Sequence, residues 1–85
     1  AVVKVTVKYF ASIREAIGQG SEPVDTSASS LLALRDELIA RGGAYADSLA
    51  HGRAVRMALD QVMADESSEL REGAEVAFFP PVTGG

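Results

Sequence analysis

The sequence predicts a single α+β domain in which the helix and the sheet are segregated along the chain. Three observations point to it. Val3, Val5, Val7 and Tyr9 alternate with Lys4, Thr6 and Lys8, the period-two pattern of a strand with one wet face. Leu31, Leu34, Leu38 and Ile39 recur at helical spacing, so one full-length helix lies near the middle. Short apolar runs around residues 22–26, 55–59, 62–63 and 74–79 supply the other strands. The order is strand, strand, long helix, strand, strand, strand, which differs from the regular alternation of a parallel α/β sheet.

The first strand, Val3–Tyr9, gives way to Ile13, Ala16 and Ile17 at helical spacing, so a short helical turn over residues 10–17 stops at Gly18. Val24 marks a short strand over residues 22–26. Pro23 confines it to a sheet edge or a strand start, because proline has no N–H for the ladder. The long helix is expected over residues 26–43, with Ser27 as N-cap and Gly42-Gly43 after Arg41 as its stop. Its leucine face packs, while Arg35, Asp36 and Arg41 face water. Residues 44–53 show no clear period and are expected to run over the surface, anchored by Leu49, with His51 in solvent.

Val55, Met57 and Leu59 alternate again, and Asp60-Gln61 separates them from Val62-Met63. That is a tight hairpin, in which Asp60 tolerates the positive φ the turn requires. Residues 65–73 are polar apart from Leu70. Residues 74–79 form a last, buried strand bounded by Pro80-Pro81.

The chain has 85 residues, 47% hydrophobic and 24% charged, which suits one compact domain and no second one. A domain of this size buries only about 60–65% of the surface its unfolded chain exposes. Its core must suffice without disulfides, since there is no cysteine. The same absence removes thiol nucleophiles, CxxC redox pairs and thiolate metal sites, and one histidine cannot form a histidine-based zinc site. No metal is expected. Eight Lys+Arg against twelve Asp+Glu leave a net charge of −4, which disfavours nucleic acid and anionic membranes. No apolar run approaches the roughly 20 residues of a membrane span. The opening Ala1-Val2-Val3-Lys4-Val5 lacks the charged-then-apolar order of a signal peptide, so the cytoplasm is the expected location.

Three candidate sites carry little chemistry. Gly18-x-Gly20 is half of a dinucleotide fingerprint without its third glycine or its following helix, and reads as a turn. The acidic residues between Asp60 and Glu75 lack calcium-loop spacing and read as a solvated face. Arg53 and Arg56 flank a strand start and could meet a phosphate or carboxylate, although surface charge is the simpler reading.

The end of the chain, Phe78-Phe79-Pro80-Pro81-Val82-Thr83-Gly84-Gly85, carries more. A buried strand runs straight into two prolines, which fix φ near −65° and aim the following residues away from the sheet. Residues 1–79 are thus read as the domain and residues 80–85 as an extended tail reaching roughly 20 Å. Without Cβ atoms, Gly84 and Gly85 can pass a channel too narrow for other residues, and the carboxylate of Gly85 is the least hindered in the chain. Joined to AMP, it becomes a mixed anhydride open to attack by a sulfur donor or an amine, giving a thiocarboxylate or an amide.

The whole chain resembles the small subunits of molybdopterin synthase, ubiquitin-like β-grasp sulfur carriers of the MoaD type. Lys4-Val5-Thr6-Val7-Lys8-Tyr9-Phe10-Ala11-Ser12-Ile13-Arg14-Glu15 is similar to the family's opening strand and aromatic-Ala-x-hydrophobic-Arg-Glu segment. Residues 73–85 are similar to its closing signature, in which Phe-Phe-Pro-Pro-Val separates this branch from other Gly-Gly proteins. Thr83 stands where serine or alanine is commoner, and Ala74 where aspartate is frequent.

The resemblance implies a mixed sheet packed on one main helix, no bound cofactor, and catalytic side chains supplied by a partner. A ubiquitin-activating-type adenylyltransferase would use ATP to make the Gly85 adenylate, which is then converted to a C-terminal 1-thioglycine. Gly84 would allow passage into the large synthase subunit, within a heterotetramer of two small and two large subunits. Two sulfur transfers there turn cyclic pyranopterin monophosphate into the dithiolene of molybdopterin. Gly-Gly proteins joined to lysine amines, or serving another sulfur pathway, are the alternative.

Alternation in the last strand sends Val76 and Phe78 to one face and Ala77 and Phe79 to the other, so one of the two adjacent phenylalanines lacks a place in the core. By parity with the first strand, Phe10 shares the outer face. Phe10 and Phe79, with Pro80, Pro81, Val82 and Thr83 leading into the tail, are therefore the expected partner-binding surface.

Overall fold

The computed structural model describes residues 2–81. Its elements are β1 (Val3–Tyr9), α1 (Ala11–Ile17), β2 (Ser21–Thr26), α2 (Leu31–Ile39), α3 (Gly43–Leu49), β3 (Arg56–Leu59), β4 (Val62–Ala64) and β5 (Glu75–Phe79). The strands form one sheet in the order β2-β1-β5-β3-β4. β1 runs parallel to β5, with Val7 opposite Val76 and Tyr9 opposite Phe78, and the other pairs are antiparallel. The last strand thus enters the middle of the sheet between β1 and β3, which is the mixed β-grasp arrangement. β2 is an edge strand, and Pro23 sits in it opposite Thr6.

The alternating residues of the strands meet the leucines of α2 in one core. Val5, Val7, Tyr9, Val76 and Phe78 from the two central strands are buried, as are Leu31, Leu34 and Leu38. The hairpin between β3 and β4 turns on Asp60 and Gln61, with φ of 51° and 69°. Both central residues are left-handed, as a turn matching the strand twist requires. The Asp60 carboxylate accepts the Glu75 N–H at 3.0 Å and its own N–H donates to the Glu75 carbonyl at 2.8 Å, fastening the start of β5.

The structure corrects the helix boundaries. α2 begins at Leu31, and its N-cap is Ser30, whose side chain accepts the Ala33 N–H at 3.2 Å, in place of Ser27. The delay has a cause in the preceding chain. Thr26 still belongs to β2 and its hydroxyl accepts the Ala28 N–H, while the Ser29 carbonyl takes the Leu70 N–H, so residues 27–30 are tied down outside the helix. The free N–H groups of Leu31 and Leu32 are met by the carbonyls of Ser68 and Glu66. The polar stretch before β5 therefore also closes the end of the helix.

A further correction concerns residues 44–53, which were expected to run irregularly. Gly43–Leu49 is a helix, α3, entered through left-handed Gly42 and Gly43 at φ of 77° and 55°. Seven residues make barely two turns, and Leu49 is the only buried side chain among them, so no apolar period could show. Arg35 does not face water. It is 4% exposed, and its guanidinium donates to the carbonyls of Leu49 at 2.7 Å and Ala50 at 2.8 Å. Four residues after Leu31, it lies on the buried face of α2. Asp36 and Arg41 are exposed as expected.

Candidate functional site

The end of β5 divides its two phenylalanines as the pleat demands. Phe78 points inward, fully buried, with its ring stacked on Tyr9 at 6.4 Å between centroids. Phe79 points to the open face of the sheet, where it is half-buried. Phe10 follows β1 on the same side, 46% exposed, and its N–H donates to the Phe78 carbonyl at 3.2 Å. The two aromatic side chains and Ala11, Ala77, Pro80 and Pro81 line an almost wholly apolar groove of about 480 Å³. The sequence-based pairing of Phe10 with Phe79, and their junction with the prolines, is therefore present. Val82, Thr83, Gly84 and Gly85 lie outside the described residues.

Two features of this surface escaped the sequence reading. Met63 is 61% exposed and sits opposite Ala58, which is opposite Ala77, so the sheet register carries the apolar surface from the groove to the β4 edge. Its parity could have been read from the hairpin, since Leu59 pairs with Val62 and Ala58 with Met63. The second is the backbone of Ala11, left-handed at φ 51° directly after Phe10. This conformation is costly for any residue with a Cβ, and it lets β1 break sharply into α1 at the groove wall.

On the far side of Pro80 a second groove, also of about 480 Å³, runs between α1 and α3 and includes Ser12, Asp47, Arg53 and Val55. Arg53 Nε donates to the Asp47 carbonyl at 3.0 Å. Arg56 lies opposite Phe79 on the open face of the sheet and is exposed.

The inner side of β1 is held by a network centred on Glu22. Its carboxylate accepts from Tyr45 at 2.7 Å, Tyr9 at 2.8 Å, Arg41 at 3.0 Å and Gln19 at 3.1 Å. Burial alone would raise the Glu22 pKa, but the donors of Tyr45, Tyr9 and Arg41 together outweigh it and hold the group below the ordinary glutamate value. Burial and the Glu22 hydrogen bond push the Tyr9 phenol well above its usual range. The network clamps Tyr9, and through its stacking on Phe78 it steadies the strand that delivers the prolines.

His51 is half-exposed and pairs with Asp36, so it is engaged with α2 rather than simply solvated. Among the described residues no three His, Cys, Asp or Glu side chains gather as a metal site. No helix among them is long and apolar enough to cross a membrane.

Comparison with known proteins places this geometry. The molybdopterin synthase sulfur carrier subunit of Escherichia coli (strain K12) is 36% identical over 81 residues, covering 95% of this chain and 99% of that protein. In the solved protein–protein complex of subunits 1 and 2 of the molybdopterin-converting factor from Helicobacter pylori 26695, one chain matches 98% of this one along its entire length. Its TM-score is 0.65 at 26% identity. The small archaeal modifier protein 1 of Haloferax volcanii shares the fold, with a TM-score of 0.77 at 22% identity over 94% of this chain and 99% of its own. The ThiS family model matches residues 7–85, from the middle of β1 through both phenylalanines to the Gly-Gly end, and the chain belongs to the ThiS family.

Proposed function

We propose that this chain is the sulfur-carrier subunit of a cytoplasmic molybdopterin synthase. The observation that carries this reading is the apolar groove of Phe10, Ala77, Phe79, Pro80 and Pro81 at the point where the chain leaves β5. A monomeric domain gains nothing from holding a second phenylalanine half-buried beside two prolines, whereas a partner that receives the following residues gains a fixed apolar foothold there. The name of the E. coli relative and the paired subunits of the H. pylori complex support the same assignment.

In this function an adenylyltransferase partner spends ATP to form the acyl-adenylate of Gly85. A sulfur donor displaces AMP and leaves a thiocarboxylate. Docking through the groove threads Gly84 and Gly85 into the large subunit, in a complex of two small and two large subunits. Sulfur passes there to cyclic pyranopterin monophosphate, and two loaded tails are consumed for each dithiolene made. The small subunit is regenerated with an ordinary carboxylate and must be reloaded.

Intact-mass spectrometry after incubation with the activating enzyme, ATP and a sulfur donor tests the loading step, and conversion of the cyclic pterin by the reconstituted complex tests the transfer. An oxygen-to-sulfur mass increase, lost when Gly85 is deleted or the chain is extended beyond it, is expected. Adducts on lysine amines without pterin conversion would assign the chain to the modifier class instead.

A further inference from the structure

Three of the eight Lys and Arg side chains pair with a carboxylate among the described residues: Lys8 with Glu75, Arg41 with Glu22 and Arg71 with Glu69. Arg53 and Arg56, like Lys4 and Arg14, are exposed and form no ion pair among the described residues, in a chain whose net charge is −4. Their placement is specific. Arg56 stands opposite Phe79 in the β3–β5 ladder, at the rim of the apolar groove. Arg53 lies in the second groove, on the other side of Pro80, and its Nε bond to the Asp47 carbonyl fixes the guanidinium while leaving its terminal nitrogens unspent. The residue at which the chain leaves the sheet is thus flanked by a positive charge on each side.

We propose that Arg53 and Arg56 form a two-sided carboxylate clamp, against which the large subunit that receives the C-terminal residues sets acidic side chains. The inference rests on the sulfur-carrier reading and adds the chemistry of the partner's rim. Guanidinium groups suit this task because they stay charged and present a planar fork to a carboxylate. At the edge of an apolar contact they steer the encounter and set its orientation, while the apolar centre supplies most of the affinity. In a domain of net charge −4, the two guanidinium groups beside Pro80 give an acidic partner face a local attraction that opposes the overall repulsion.

The test is titration of the full-length chain with its molybdopterin synthase large subunit by calorimetry and stopped flow, at low and high salt. The proteins compared are wild type, Arg53→Gln, Arg56→Gln, the double glutamine variant and the double glutamate variant, each checked for an unchanged melting curve. The double glutamine variant is expected to bind about tenfold more weakly at low salt and to lose most of the salt dependence, and charge reversal to weaken it further. Wild-type binding that is salt-independent, or equal in all variants, overturns the clamp while leaving the sulfur-carrier reading intact. Altered self-association in sedimentation with unchanged partner affinity overturns it too, by assigning the arginines to a second copy. Failure of the wild type to bind the large subunit removes the functional reading and the clamp with it.

Discussion

The guanidinium of Arg35 donates from Nε to the carbonyl oxygen of Leu49 across 2.7 Å, so a buried cation on α2 ties down the end of α3 with no carboxylate involved. The carbonyls it meets, Leu49 and Ala50, belong to the last turn and C-cap of α3, groups that a helix leaves unpaired and that carry its negative end. Arg35→Met should therefore destabilise the fold by about 2–4 kcal/mol in urea denaturation, because the carbonyls lose their donors inside the protein. Arg35→Lys should recover only part of this, having no fork to span both oxygens.

The clamp on Tyr9 should respond to pH. Glu22 is held below its ordinary value of 4.5 by Tyr45, Tyr9 and Arg41 against the opposing effect of burial. A carboxyl with a depressed folded pKa contributes stability that is fully present above its unfolded value and disappears as pH falls through the folded one. The stability difference between wild type and Glu22→Gln should thus be constant near neutrality, at about 1–2 kcal/mol, and shrink below pH 4.5. Urea midpoints for the two proteins across the acid range check this.

Ala11 provides a test of backbone strain. Its φ of 51° is a conformation glycine adopts without a Cβ penalty, so Ala11→Gly should raise stability by up to about 1 kcal/mol, after the entropy glycine adds to the unfolded chain. Ala11→Val should lower it, since a β-branched side chain fits this region worse. Melting temperatures of the three proteins are sufficient.

Phe78 and Phe79 are neighbours with opposite duties. Phe78→Ala should cost about 3–5 kcal/mol of folding stability, because its ring is fully buried against Tyr9. Phe79→Ala should leave the melting curve nearly unchanged and weaken binding of the large subunit by about 2 kcal/mol. Met63→Ala should give a smaller effect of the same kind, as Met63 lies at the far end of the same surface. Calorimetric titration beside thermal melts separates the two classes.

Local patterns carried much of this protein. Period-two alternation in residues 3–9 and 74–79, the leucine spacing of α2 and the Asp60-Gln61 turn are each written within a few neighbouring residues, as are the aromatic–proline–glycine run and the parity that puts Phe79 outside. What depends on distant partners was not visible. Ser30 rather than Ser27 caps α2 because the 65–70 stretch pairs with residues 29 and 30. Arg35 is buried because α3 brings carbonyls to it, and α3 itself is too short to show a period. The sequence by itself determined the class of fold, the strand parities and the chemistry available at a Gly-Gly end. Only the tertiary structure decided that Met63 extends the surface of Phe10, Phe79 and the two prolines across β3, and that Arg53 and Arg56 stand on either side of Pro80, because those juxtapositions arise when β5 inserts between β1 and β3, and strand order is a property of long-range pairing that no local pattern encodes.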